Sequence, residues 1–195
     1  MKVANMDSIS GIIQPGDWIT GRDRDLVFQE QTIISYICDA LNEAFISENE
    51  YTRLFNKEHQ LNFEKCLSNN EKYKKQIYAK SFIYNLDIIN KLFNTLDDKV
   101  GNENEKHLLH ERYKSCFGDL KHIRDSLMHL EDRGIGKDKN KKPLVATVIV
   151  IGGFINNCYS YSGSDGKHYQ IEISETTINK AKTIIQNLIN TYEWE

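Results

Sequence analysis

The sequence predicts a mainly helical protein, an up-and-down bundle of four to five helices with a small three-stranded antiparallel β-meander inserted before the last helix. Apolar residues recur every three or four positions over most of the chain, which is helical spacing. The 195 residues include only two prolines, so long stretches are free to be helical. The length suits one domain, placed over residues 1–195, with the bundle at 24–133, the sheet at 144–173 and the last helix at 174–192.

Three amphipathic segments precede the predicted sheet. Apolar side chains share one helical face from about Arg24 to Ser47 and from about Glu71 to Asp98, which predicts two long helices. The polar stretch 48–70 between them favours short helices. The third segment, about Asn102 to Arg133, has the most regular apolar seam and predicts one continuous helix. Its seam residues are Leu109, Tyr113, Cys116, Leu120, Ile123, Leu127 and Leu130.

The pattern changes from helical to strand-like after the third segment. Runs of β-branched or alternating apolar residues predict three strands, separated by turns at Gly152-Gly153 and at the glycine-containing stretch 163–166. The predicted strands are Leu144–Ile151, Phe154–Ser162 and Lys167–Ile173.

Composition and charge narrow the class of protein. The formal charge is −3, which excludes the global positive field of a duplex-binding protein and leaves only local contacts to nucleic acid. The four cysteines lack zinc-type spacing, so we expect reduced thiols, no metal and no cofactor, with Cys38 and Cys116 buried on apolar helix faces. Neither a secretion signal nor the roughly 18-residue apolar run of a membrane span is visible, which predicts a cytoplasmic protein.

The third predicted helix carries polar side chains away from its apolar seam. At about 100° per residue, Arg124 lies about 80° from the seam, whereas Asp125 and His129 lie close to the opposite side. Met128 and Phe117 are predicted on this second face, and purely solvated faces seldom carry such side chains. We therefore expect this face to meet a second copy of the chain.

These side chains suit the cleavage of a ribose phosphodiester without a metal ion. An imidazole such as that of His129 can take a proton from a 2′-hydroxyl or give one to the leaving oxygen. The Arg124 guanidinium can hold two phosphate oxygens and stabilise the charge of the transition state. Asp125 can orient either group, and a twofold axis would supply both an acid and a base.

The third predicted helix contains the pattern Arg124-Asp125-x-x-x-His129 and is followed by a break and a last helix. This arrangement resembles the motif of the HEPN (higher eukaryotes and prokaryotes nucleotide-binding) superfamily. The resemblance implies a homodimer that cuts RNA without metal, in a toxin or antiviral setting, with an antitoxin or a nucleotidyltransferase-type protein as its partner. It also implies that Arg124 binds the scissile phosphate, that His129 is the general acid or base, and that Asp125 supports both. Relative to a plain bundle, the sheet at 144–173 is an insertion.

Several alternatives remain open around this motif. The basic residues near it are predicted to contact RNA phosphates, although such residues are also typical of a solvated surface; they are Lys121, Arg133, Lys137 and Lys139. Arg124 could instead pair with an acidic neighbour such as Asp125. Two further hypotheses are separate from this pairing: a non-catalytic HEPN-like dimeric module that binds a partner protein or a nucleotide, and a structural helical protein with no ligand in this groove.

The other histidines have less specific interpretations. His107 and His110 could hold a metal, but their spacing is more typical of a solvated helix face. His122 lies one heptad before the motif histidine and either joins the site or is merely exposed. Arg53 and His59 also match the motif spacing, but an apolar residue follows this arginine where a polar one is expected, so we set the pair aside.

Overall fold

The computed structural model of this chain is mainly helical with a small antiparallel sheet, as the sequence predicts. It describes residues 9–16, 18–21, 23–60, 66–100, 104–128, 153–155, 157–162 and 167–195. The chain divides into two compact units. Unit 1 consists of Met1–Ile46, Asn85–Cys116 and Thr176–Glu195, and unit 2 consists of Ser47–Tyr84 and Phe117–Glu175.

Two long helices begin the described fold, α1 at Arg24–Gln60 and α2 at Asn69–Val100. The prediction of short helices after residue 47 is wrong, because Tyr51 and Leu54 continue the buried face of α1 at helical spacing. A capping box begins α2: the Ser68 backbone N–H donates to Glu71 Oε2 at 3.1 Å, and the Glu71 backbone N–H donates to Ser68 Oγ at 3.3 Å.

The predicted continuous helix over 102–133 is two helices, α3 at Asn104–Cys116 and α4 at Leu120–Met128. The break falls at Gly118 and Asp119, which have low helix propensity, and α4 restarts with the Ile123 N–H donating to the Asp119 carbonyl at 3.0 Å. The Asp119 side chain accepts from the Gln170 backbone N–H at 3.3 Å. Most seam residues are buried as predicted, among them Leu109, Tyr113, Leu120, Ile123 and Leu127.

The helix break also corrects two predictions about burial. Cys116, expected on the buried face, is exposed at the last position of α3. Phe117, expected on the second face, is buried at 7% exposure. Once the chain leaves the helix after Cys116, the next residue takes the interior position.

The sheet consists of β1 at Gly153–Ile155, β2 at Cys158–Ser162 and β3 at His168–Glu172, in that order and antiparallel. Ile155 pairs with Cys158, so the chain reverses between β1 and β2 and the predicted single strand Phe154–Ser162 is wrong. Asn157, which lies at this reversal, is a residue type favoured in hairpin loops. The predicted strand Leu144–Ile151 lies outside the described residues.

The last helix, α5 at Glu175–Asn190, confirms the prediction for this part of the chain. Ile178, Ala181, Ile185 and Leu188 form its buried face. After α5, Trp18 and Glu195 exchange two backbone hydrogen bonds of 3.2 and 2.9 Å, which join the two ends of unit 1. Within the described ranges, none of the helices is both long enough and apolar enough to cross a membrane.

Candidate functional site

The short helix α4 holds two of the three predicted motif residues. Leu120, Ile123 and Leu127 form its buried face. Arg124 and Asp125 follow Ile123 directly, and the Arg124 Nη2 lies 2.8 Å from Asp125 Oδ1. The two side chains are 24% and 15% exposed, so this ion pair is partly screened from water. The predicted alternative, in which Arg124 pairs with an acidic neighbour, is therefore the arrangement that the structure has.

The third motif residue, His129, lies outside the described residues, and so do the predicted RNA contacts Arg133, Lys137 and Lys139. Lys121 is described, and it is exposed on α4. The structure therefore brings Arg124 and Asp125 together but does not place the imidazole that would complete the motif.

His122 is exposed, which is one of the two interpretations that the sequence left open, and no described contact joins it to the motif residues. Its ring stacks on that of Tyr169 in β3, with centroids 4.2 Å apart and planes 12° from parallel. Tyr169 belongs to the buried face of β3. The stacking fixes the orientation of the imidazole against the sheet, and no feature of the sequence pairs these two rings.

The remaining histidines differ in burial. The prediction of a solvated face holds for His107, which is exposed, but it is wrong for His110, which is fully buried and stacks on Phe93 with centroids 5.8 Å apart. His110 lies four residues after the buried Lys106, so the buried face of α3 includes polar residues as well as apolar ones. The part of the chain that the structure describes contains no group of three metal-ligating side chains.

The other pair that matches the motif spacing, Arg53 and His59, forms its contacts within α1. Arg53 donates to Glu50 Oε2 through Nε and Nη2, at 3.1 and 3.0 Å. The His59 Nδ1 lies 2.9 Å from the Phe55 carbonyl oxygen. Both side chains are exposed, so the pair is suitable as a control for the motif in α4.

The cysteines are free thiols, as predicted. Burial raises the pKa of Cys38 to about 12, and burial also raises the pKa of Cys158. Both thiols are therefore held in the protonated form at neutral pH, which disfavours them as nucleophiles.

Comparisons with protein-family models, curated proteins and solved structures found no match to this chain. The resemblance to the HEPN superfamily therefore depends on the sequence motif of Arg124, Asp125 and His129 and on the mainly helical fold.

Proposed function

We propose that this protein is a metal-independent endoribonuclease of the HEPN type that acts in a toxin or antiviral setting. The observation that supports the proposal is the partial exposure of Arg124 and Asp125 on α4, at 24% and 15%, which leaves the paired guanidinium and carboxylate accessible to a ligand from solvent. A carboxylate beside a guanidinium fixes the direction of the guanidinium N–H donors. The arginine side chain therefore loses less conformational entropy when it binds a phosphate. The motif spacing assigns the imidazole of His129 to the end of the same segment.

The proposed reaction forms one bond and breaks one bond at phosphorus. The 2′-oxygen attacks the phosphorus while the imidazole of one His129 takes the proton of the 2′-hydroxyl. The 5′-oxygen leaves with a proton from a second imidazole, that of the other copy in a homodimer. Arg124 stabilises the negative charge on the nonbridging oxygens, and the products are a 2′,3′-cyclic phosphate and a 5′-hydroxyl.

This proposal assigns further roles outside the motif. The helices form an up-and-down bundle in which the segment of α4 faces its symmetry mate, and the sheet is an insertion into that bundle. Basic side chains near the motif contact the RNA backbone; they are Lys121, Arg133, Lys137 and Lys139. An antitoxin or a nucleotidyltransferase-type protein would control the activity.

The test is cleavage of an end-labelled RNA by purified protein in the presence of EDTA. We expect cleavage by the wild type, and a rate lower by about 100-fold or more for His129→Ala and Arg124→Gln. Asp125→Asn should lower the rate by a smaller factor, because it removes only the charge that orients the guanidinium. Circular dichroism of each variant confirms that it is folded.

The chain offers a matched control for these variants. Arg53→Gln and His59→Ala change the same residue types at the other Arg…His pair, and both should cleave at the wild-type rate. Equal cleavage by wild type and His129→Ala, or cleavage only after Mg²⁺ is added, would contradict the proposal. If the wild type and all the variants leave the RNA intact, the proposal is also contradicted and the non-catalytic module is favoured.

A further inference from the structure

A groove in unit 1 lies between α3 and α5, with a volume of about 360 Å³. Its lining comes from one face of each helix, at spacings of three and four residues that bring side chains into line. The lining residues are Arg112 and Cys116 of α3, and Thr176, Asn179, Lys180, Thr183 and Ile184 of α5. The volume falls in the range of small-molecule sites, which hold roughly 300–1,000 Å³.

The described lining contains two cations, and none of its residues is acidic. Arg112 and Lys180 are both exposed, and neither forms an ion pair with any residue that the structure describes. Lys114, on the same helix as Arg112, instead pairs with Glu111 at 2.8 Å. Two unneutralised cations on one cavity repel each other, so a bound anion would lower the electrostatic energy of the groove.

Two neutral side chains of the lining add hydrogen-bond donors to the two cations. In the described part of the chain, the Thr176 hydroxyl and the Asn179 side-chain amide have no protein partner, so both can donate to an oxygen anion. The Thr183 hydroxyl is already used, since it donates to the Asn179 carbonyl at 2.7 Å. Ile184 is buried at 1% exposure and provides an apolar floor beside these polar groups.

We propose that this groove binds a small phosphate-bearing ligand. The planar guanidinium of Arg112 holds two phosphate oxygens, and the ammonium of Lys180 adds a point charge. The cavity is larger than one phosphate group needs, so the organic part of the ligand, or a second phosphate, occupies the rest. The site lies in unit 1, whereas Arg124 and Asp125 lie in unit 2, and the proposal does not depend on nuclease activity.

The exposed thiol of Cys116 reports whether the groove is occupied. Cys116 lines the cavity, whereas Cys66 is equally free and exposed but belongs to unit 2. Wild-type protein is alkylated with iodoacetamide, with and without inorganic phosphate, pyrophosphate or ATP, and both cysteines are followed by peptide mass spectrometry. Citrate is the control for an anion that carries no phosphate.

We expect at least one phosphate probe, at ten times its dissociation constant, to slow alkylation of Cys116 about tenfold while Cys66 reacts at an unchanged rate. Protection by inorganic phosphate would show that one phosphate group is sufficient for binding. Protection only by pyrophosphate or ATP would identify a ligand with linked phosphates. Either result supports the proposal.

Variants test whether the two cations are responsible for the protection. The double variant Arg112→Gln/Lys180→Gln should lose protection of Cys116, whereas Lys114→Gln, a cation change elsewhere on α3, should keep it. Protection is taken as the ratio of rates with and without probe within each variant, because the substitutions also alter the intrinsic reactivity of the thiol. Circular dichroism confirms that the double variant is folded.

Three results would overturn the proposal. The first is that no phosphate probe slows alkylation of Cys116. The second is that citrate protects as well as phosphate does, or that Cys66 is protected to the same degree. The third is that a folded Arg112→Gln/Lys180→Gln variant keeps full protection.

Discussion

One ion pair in each unit shows how differently the two parts of this protein use charge. In unit 1, Lys106 Nζ lies 3.7 Å from Glu30 Oε1, and the side chains are only 4% and 2% exposed. In unit 2, the Arg124–Asp125 pair is 24% and 15% exposed. A ligand that arrives from solvent can reach the second pair but not the first. The comparison indicates a stabilising role for Lys106 and Glu30, and the proposed binding of phosphate by Arg124 beside Asp125 depends on the partial exposure of that pair.

The surroundings of Lys106 support a structural role. Its Nζ lies 3.8 Å from the centroid of the Tyr192 ring, so the ammonium contacts both a carboxylate of α1 and an aromatic ring beyond α5. These contacts connect three separate parts of the sequence within unit 1. Desolvation of both charges is costly, and their mutual attraction and the ring contact offset part of that cost.

Loss of the buried cation should have the largest effect on stability. Lys106→Met leaves the Glu30 carboxylate buried without its ammonium, so we expect the free energy of unfolding to fall by about 3–5 kcal/mol. Urea denaturation followed by circular dichroism measures this change. Lys114→Met on the same helix is the control, and because Lys114 is half exposed its change should stay within about 0.5 kcal/mol.

A double variant separates the charge from the packing. Lys106→Met combined with Glu30→Gln removes both charges and should be more stable than Lys106→Met alone. If the double variant were no more stable than the single one, the buried charge would not explain the loss. The contrast between the two ion pairs would then have no energetic basis.

A buried neutral hydrogen bond in unit 1 should contribute less than the ion pair. The Tyr113 hydroxyl donates to the Leu86 carbonyl at 2.9 Å, and burial raises the pKa of Tyr113 well above its usual value. Tyr113→Phe keeps the ring against Phe93 and removes only the hydroxyl, so the free energy of unfolding should fall by about 1–2 kcal/mol.

The same urea titration checks this prediction. Tyr73→Phe is the matched control, because Tyr73 is 67% exposed and its hydroxyl has no partner in the described part of the chain. Equal losses for the two variants would mean that the hydrogen bond to α2 does not stabilise unit 1.

The apolar periodicity predicted the long helices but not where the third one breaks. The seam crosses from Cys116 to Leu120 in a regular step of four, so the spacing continues through Gly118 and Asp119. Local propensity ends the helix there, and a pattern that counts only apolar residues does not register it. The sheet differed for a related reason, since the prediction placed the turn at the glycines and not next to Asn157.

The candidate sites differ in how far the sequence could predict them. Arg124 and Asp125 were found because a short motif in one segment contains both. The buried Lys106 and His110 were missed, although they occupy the same face as Leu109 and Tyr113 at helical spacing. The groove of Arg112 and Lys180 depends on which helices are neighbours, and distant segments of sequence do not carry that information.

The smallest expected effect concerns a surface contact of unit 2 and appears only as a function of pH. Lys57 Nζ donates to Glu71 Oε1 at 2.5 Å, and Glu71 also accepts from the backbone and side chain of Ser68. These hydrogen bonds, led by that from Lys57, lower the pKa of Glu71 to about 2 from its usual 4.5. Because the folded-state value is the lower one, the stabilisation is fully present above pH 4.5 and is lost as the pH falls toward 2.

Glu71→Gln should therefore be less stable than wild type at pH 7, by less than either unit 1 variant, and the two proteins should converge as the pH approaches 2. Urea titrations at intervals between pH 2 and pH 7 measure the difference in free energy of unfolding between the two proteins. Taking this difference cancels the contributions of the other carboxylates, which both proteins share. Lys57→Gln should reproduce part of the change because it removes the main cause of the shift, whereas Lys72→Gln, whose side chain forms no hydrogen bond or ion pair with a described residue, should not. A difference in stability between wild type and Glu71→Gln that stayed constant over this range would mean that the contact of Lys57 with Glu71 does not depend on the ionised carboxylate. These two side chains would then stabilise unit 2 by packing alone. The ion pairs of the two units would differ in burial, and the comparison would say nothing about the contribution of charge in unit 2.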